Sequence, residues 1–413
     1  MGGSLLQLVA YGAQDIYLTG NPQITHFKTI YKRHTNFSIE SIEIPVDGYV
    51  KLGSLFSTTI SRKGDLLSNI VFEIDWDLSG VPASWRLGHQ IIDFIELEIG
   101  GQIIDKQYGT WMDIWSQLTH NNEDMEKLSR MLSGQLNNKN NNSKTYIPLQ
   151  FWFCNNPGLA LPLIALQYHD VKLNVQLNKN YVYANPSNNQ QYILSSSSSP
   201  GIYSLAVYGD YIFLDTDERR RFAQMSHEYL IEQTQFSNIQ GVSTGLNQIE
   251  MHFSHPIKEI VWAIQRNNNS TVVHPFDFWA VDPPNDKYDI DMTIDAHIRF
   301  NLMERFKTRE GTYFRCVLPY QYHTGGNKQV GYISPIPVPY YDYLVEPFGG
   351  FYIYNFALKP EEYQPSGTCN FSRIDNAVLH INVNQQAQTI RIWAKNYNIL
   401  RIASGMAGVV YNN

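Results

Sequence analysis

Apolar residues recur at every second position in many short runs of this chain, the spacing of half-buried β-strands. Ile70, Phe72, Ile74 and Trp76 follow it strictly inside a strand expected over Leu66–Trp76. Asn36–Val46 alternates through Phe37, Ile39, Ile42, Ile44 and Val46, with one slip in phase. Ile91–Ile99 and Gln102–Asp105 read as a hairpin. Ile95, Leu97 and Ile99 share one face, Glu96 and Glu98 the other, and Gly100-Gly101 supplies a tight turn with positive φ. The period then changes. Trp111, Ile114, Trp115 and Leu118 stand at helical spacing, which predicts a helix over Tyr108–Thr119 covering one end of a sheet. Strands follow over Tyr146–Phe153 and His169–Leu177. Ser133–Thr145 and Asn178–Pro200, rich in Asn and Ser, read as polar surface loops.

Near the midpoint, a β-rich run over Ser204–Phe213 and another over His227–Phe236 flank the charged stretch Leu214–Gln224. Asp215 stands as an N-cap, with Glu218 in capping-box position. The acids precede Arg219, Arg220 and Arg221, the order that the helix dipole favours. Strands are expected beyond it within Asn247–Gln265, as a pair over Ile298–Cys316, and over Phe351–Leu358, Ala377–Val383 and Thr389–Ala403, with a polar, Pro-containing insertion over Asn267–Asp291. Asp170–Leu177, a loop and Ser204–Phe213 correspond in order to Asn376–Val383, a loop and Thr389–Ile402. About eight strand-like runs per half match a jelly roll, a fold of two packed sheets. The expected fold is all-β, a double jelly roll of two eight-stranded antiparallel sandwiches in tandem with short helices in loops. The expected divisions are an arm over 1–26, a first roll over 27–213, a helical link over 214–224 and a second roll over 225–413.

Composition sharpens this picture. The chain has 413 residues, 43% hydrophobic and only 17% charged, enough to bury two cores. Its 27 Tyr and 20 Phe favour strands. A formal net charge of −7 argues against direct contact with nucleic acid. Three cysteines, Cys154, Cys316 and Cys369, form no CxxC pair and fit a reducing compartment. The start lacks a basic region and a long apolar run, so no secretory signal is expected, and no apolar run is long enough to span a bilayer.

Candidate chemistry is sparse. His252 and His255 form an HxxH in a strand-like run, where residues three apart face opposite ways, so joint metal binding is disfavoured. Cys154 and His169 lack an orienting group, and the acids form no glycosidase-like dyad. Gly325-Gly326 and Gly349-Gly350 lack phosphate-loop spacing and read as turns. No catalytic, cofactor-binding or metal-ligating residue is assigned, and no cofactor is expected. Glycosylation sequons begin at Asn36, Asn141, Asn268, Asn269 and Asn370. Asn141, Asn268 and Asn269 lie in polar loops that would tolerate sugars; Asn36 and Asn370 are expected to serve packing or turns.

Several blocks are similar to the major capsid protein of nucleocytoplasmic large DNA viruses. They are Gly3–Gln23, Phe27–Phe37 with its Phe-Lys-x-x-Tyr-x-Arg-His-Thr-Asn-Phe pattern, Leu161–Lys172, Leu214–Arg220, Pro365–Asn376 and Tyr397–Tyr411. They span the chain in family order. The resemblance implies a structural, non-enzymatic subunit. It implies a homotrimer whose six sandwiches form a pseudo-hexagonal capsomer, tiling an icosahedral shell beside neighbouring capsomers and minor capsid or penton proteins. It also implies assembly in the host cytoplasm and raises an inner viral membrane beneath the shell as a further partner. Two alternatives stay open: a minor capsid paralogue of the same fold, and a carbohydrate-binding β-sandwich. The arm carries Leu5, Leu6, Leu8, Val9, Ile16, Tyr17 and Leu18, too much apolar surface for a free tail.

Overall fold

The strand periodicity leads to four principal antiparallel sheets, two in each half of the chain. The computed structural model describes residues 7–48, 50–77, 86–133, 135–136, 142–184, 191–195, 202–266, 278, 280–282, 287–325, 349–384 and 387–411. Met1–Phe37 forms one unit and Ser38–Asn413 a second.

In the first half, one sheet orders Phe37–Ile44, Ile202–Leu214, Leu66–Asp77 and Asn142–Pro148, with Gln135–Leu136 at its edge. The other orders Leu55–Ile60, Val171–Leu177, Ile92–Ile99 and Gln102–Tyr108. Their inner faces share one core, in which the rings of Phe56 and Phe72 meet across the sheets at 6.4 Å. In the second half, His227–Gln240, Ala387–Ala403, Pro256–Arg266 and Phe351–Asn355 form one sheet. Gly245–Glu250, Ala377–Val383 and Thr293–Phe300 form the other, edged by Met303–Glu304 and Arg309–Glu310. Tyr352 Oη accepts from Thr293 N at 3.1 Å and so ties the two sheets.

Numbering the strands of each half in chain order, with Met303–Glu304 as the fifth of the second half and the other short edge and insertion strands left out, gives the same orders twice, 1-8-3-6 packed on 2-7-4-5. This is the jelly-roll arrangement. Strands of the two halves do not mix within a described sheet, and the fold is a double jelly roll. Between the halves runs the helix Thr216–Gln224, capped by Asp215 Oδ1, which accepts from Asp217 N at 3.1 Å and Glu218 N at 3.0 Å. Arg219 Nε reaches Asp65 Oδ1 at 3.0 Å, and Asp65 Oδ2 accepts from Leu214 N at 2.9 Å. Arg219 thus also anchors the link to the first roll.

Several local expectations are corrected. The strand expected over Tyr146–Phe153 ends at Pro148, which has no N–H for the ladder, and Trp152–Asn155 is a helical turn. The stretch expected as the loop Ser133–Thr145 is entered by two paired strands, Gln135–Leu136 and Asn142–Pro148, and Ser133 and Thr145 are buried. The Asn178–Pro200 loop carries its own hairpin, Asn180–Ala184 paired with Gln191–Ser195, and Ala280–Asp282 pairs with Lys287–Ile290 inside the later insertion. The strand expected up to Cys316 is helical from Gly311. Tyr313–Val317 and Leu318–Tyr322 continue one another, and Phe314 and Leu318, four residues apart, enter the core together. His252 and His255 lie in the connection between strands, not on one; His252 is exposed and His255 adopts φ 65°. The strand Leu55–Ile60 and the helix Asn122–Leu132 were not expected from the pattern.

Candidate functional site

The helix Gly109–Thr119 belongs in sequence to the first roll, yet its apolar stripe completes the core of the second. Trp111, Ile114, Trp115 and Leu118 are buried among Ile260, Trp262, Ile392 and Trp393. The helix thus lies against Ile92–Ile99 of its own roll, with Met112 in the first core, and turns this stripe to the other roll. The exchange is reciprocal. Ile231, Leu400, Ile402 and Ala407 of the second roll are buried in the core of the first.

Buried charge fills the polar side of this seam. Glu232 accepts from Lys258 Nζ at 2.5 Å and Lys395 Nζ at 2.8 Å. Burial opposes its ionisation, but Lys395 and Lys258 outweigh burial and hold its carboxyl below the usual range. A register shift between Ile257 and Glu259 makes Lys258 a β-bulge, which aims consecutive charged residues into the interior. The Lys395 ammonium stands 3.4 Å from the Trp115 ring centroid, a cation–π contact between the rolls. Nearby, His323 lies between Glu259 and Glu361, each at 3.0 Å. Burial works against its charge, yet these carboxylates push its pKa up to about 9. Glu361 also accepts from Thr324 N at 2.8 Å and Thr324 Oγ1 at 2.6 Å.

The hairpin strand Gln102–Tyr108 supplies the other side. A register shift around Ile104 leaves both Ile104 and Asp105 buried. Asp105 Oδ1 accepts from Thr234 N of the second roll at 3.1 Å, and Gln233 Nε2 donates to Ile104 O. Burial pushes the Asp105 carboxyl up to about 6 despite hydrogen bonds from Thr234 N and Gln107 Nε2. Farther along, Tyr168 N donates to Gly405 O at 2.9 Å and Ala407 N to His169 Nδ1 at 3.2 Å. Two of the sequence blocks noted above, Leu161–Lys172 and Tyr397–Tyr411, meet here. On the first roll's side, Asp113 receives Arg86 Nη1 and Gln117 Nε2, each at 2.7 Å and all buried.

This arrangement holds and positions; it presents no reacting group. Burial pushes the Cys154 thiol up to about 12, so it is no nucleophile at neutral pH. His169 is engaged with Ala407 rather than with Cys154. Among the described residues, no three His, Cys, Asp or Glu side chains gather as metal ligands. Asn370 Oδ1 accepts from Ser372 N at 3.0 Å and shapes a turn, and Asn36 is exposed. Gly349 and Gly350 both adopt φ 78°. Asn141, Asn268, Asn269 and Gly326 lie outside the described residues. The sequence reading missed Asp105, Glu232, Lys258 and His323. The available signal was Lys258-Glu259 interrupting Ile257 and Ile260–Ile264, charges where a plain core strand would have none.

The unit Met1–Phe37 is a second feature of interest. Among its described residues Ile16–Thr19 forms a helical turn, with Asp15 Oδ2 accepting from Gly12 N at 2.8 Å. Every described residue of it is exposed, including Leu8, Val9, Tyr11, Tyr17, Leu18, Phe27 and Tyr31. Leu5 and Leu6 lie outside the described residues.

Known proteins share both halves. The family described as "Major capsid protein N-terminus" matches residues 25–215, and "Large eukaryotic DNA virus major capsid protein" matches residues 218–408. The major capsid protein of Pyramimonas orientalis virus is 44% identical over 427 residues, covering 100% of both chains. That of Paramecium bursaria Chlorella virus 1 is 40% identical over 466 residues, again covering 100% of both. The solved "PBCV-1 virus capsid, quasi-atomic model" superposes with a TM-score of 0.77 at 35% identity, covering 94% of this chain and 100% of that one. The chain belongs to the major capsid proteins of large eukaryotic DNA viruses, and it is a structural, non-enzymatic component of the virion capsid that assembles with neighbouring subunits.

Proposed function

We propose that three copies of this chain form a pseudo-hexagonal capsomer that tiles an icosahedral shell. The observation that carries this reading is the repeated strand order, 1-8-3-6 on 2-7-4-5, in two rolls locked by an interdigitated seam. Each chain then supplies two similar blocks at a fixed angle, and a threefold axis generates six. The working divisions are 1–26, 27–213, 214–224 and 225–413. Assembly takes place in the host cytoplasm. Neighbouring capsomers abut the rolls, and minor capsid or penton proteins fill other positions of the shell. The arm faces inward, toward the base of the shell and any membrane beneath it, and the genome is not bound directly. Residues 137–141 and the polar segments Asn178–Pro200 and Asn267–Asp291 point outward. Asn141, Asn268 and Asn269 are the positions where an outward sugar would be carried.

Deleting residues 2–24 tests this division of labour. No described residue of that segment is buried, so trimers should still form, while electron microscopy should show few closed shells. A deleted chain that cannot fold would make the arm part of a core. Normal shells would remove its assembly role.

A further inference from the structure

The charge of this chain is divided unevenly. Residues 1–37 hold Lys28, Lys32 and Arg33 against the single acid Asp15, a formal +2. The whole chain carries −7, so residues 38–413 carry −9. The cations cluster within His26–His34, which reads His-Phe-Lys-Thr-Ile-Tyr-Lys-Arg-His and contains no acid. Phe27, Ile30 and Tyr31 alternate with them and are 99%, 66% and 81% exposed. The described backbone from 26 to 36 forms no helix or strand.

We propose that the basic, aromatic segment His26–His34 docks on the acidic body of a second copy of this chain. This deepens the shell-building reading above and rests on it. Opposite net charges draw arm and body together and set the encounter rate. Burial of Phe27, Ile30 and Tyr31 against the neighbour supplies the non-ionic part of the affinity. The acidic body is the favoured occupant because its charge is written into the same chain, and copies of the chain are what a shell brings together. The joint is salt-sensitive, since all three cations are exposed and screening acts on them in full.

The test uses zero-length coupling of lysine amines to carboxylates. Unlabelled full-length chain is mixed with nitrogen-15-labelled full-length K28R/K32R chain, so only unlabelled arms offer a lysine amine and the labelled bodies are intact. The expected products are mixed-isotope links from Lys28 or Lys32 to Asp or Glu of labelled bodies, falling several-fold between 50 and 500 mM salt and in the R33E chain. Mixed links between bodies without mixed arm–body links would overturn the proposal alone, because the arm would then lie on its own chain. Absence of every mixed link would overturn the shell-building reading with it. Co-sedimentation with phosphatidylserine vesicles or DNA fragments that is lost in the K28E/K32E/R33E chain, with mixed arm–body links absent, would assign the arm to a lipid surface or to nucleic acid instead.

Discussion

The ammonium of Lys395, on a central strand of the second roll, sits 3.4 Å from the ring centroid of Trp115, on a helix that the first roll sends out. The same indole is buried in the second roll's core. One aromatic residue therefore closes a core, shields a buried cation and joins two sandwiches.

Replacing Trp115 with Ala should cost about 3–5 kcal/mol, the range for deleting a large buried aromatic side chain. Because the cores interdigitate, both rolls should unfold in one transition. Urea titration followed by two probes, one per roll, checks this. Separate midpoints in the wild-type protein would show that the seam does not couple them.

His323 gives the protein an alkaline limit. Its folded pKa of about 9 lies above the ordinary histidine value of 6.5. The stability it contributes is complete below about pH 6.5 and is lost as pH rises through about 9. His323→Gln should be less stable at pH 7 by about 3–5 kcal/mol, because Glu259 keeps its burial and loses its cation. The gap to wild type should narrow above pH 10. A pH-independent gap would contradict the charged state assigned to His323.

The tight turn tolerates little. Gly100 adopts φ 59°, and a Cβ there would overlap the ring of His169, which is held against Ala407. Gly100→Ala should destabilise the protein by more than about 1 kcal/mol, from the left-handed backbone together with the clash. Gly101 has φ 85° and open space around its Cβ position, so Gly101→Asn carries backbone strain without a clash and should cost less than Gly100→Ala by thermal denaturation.

Protease applied to intact particles should cut within residues 137–141, Asn178–Pro200 or Asn267–Asp291 before it cuts either core. Mass spectrometry of the first fragments locates the sites. Protection of all three segments would place them on an inner face or in contacts between subunits.

Much of the fold is legible in the chain because a sheet with one buried face writes its period into the sequence. Ile70–Trp76, the Gly100-Gly101 turn and the Asp215 cap are read directly. The strand Leu55–Ile60 escapes because Ser57, Thr58 and Thr59 hide its alternation; Thr58 is buried and satisfies its hydroxyl at Pro45 O, 2.7 Å away. The spacing of Trp111 to Leu118 announces a helix with an apolar stripe. Its destination in the other roll is a long-range fact that no local period encodes. The buried charges escape for a related reason. Lys258 and Asp105 reach the interior through bulges, where the two-residue alternation used to find strands breaks down.

The central claim is that this chain works as a trimer of locked double rolls. The mass of the purified protein in solution, measured by light scattering at micromolar concentration, tests it most directly. Three times the chain mass of 47.6 kDa is the predicted result. A stable, folded species of 47.6 kDa at that concentration would contradict it.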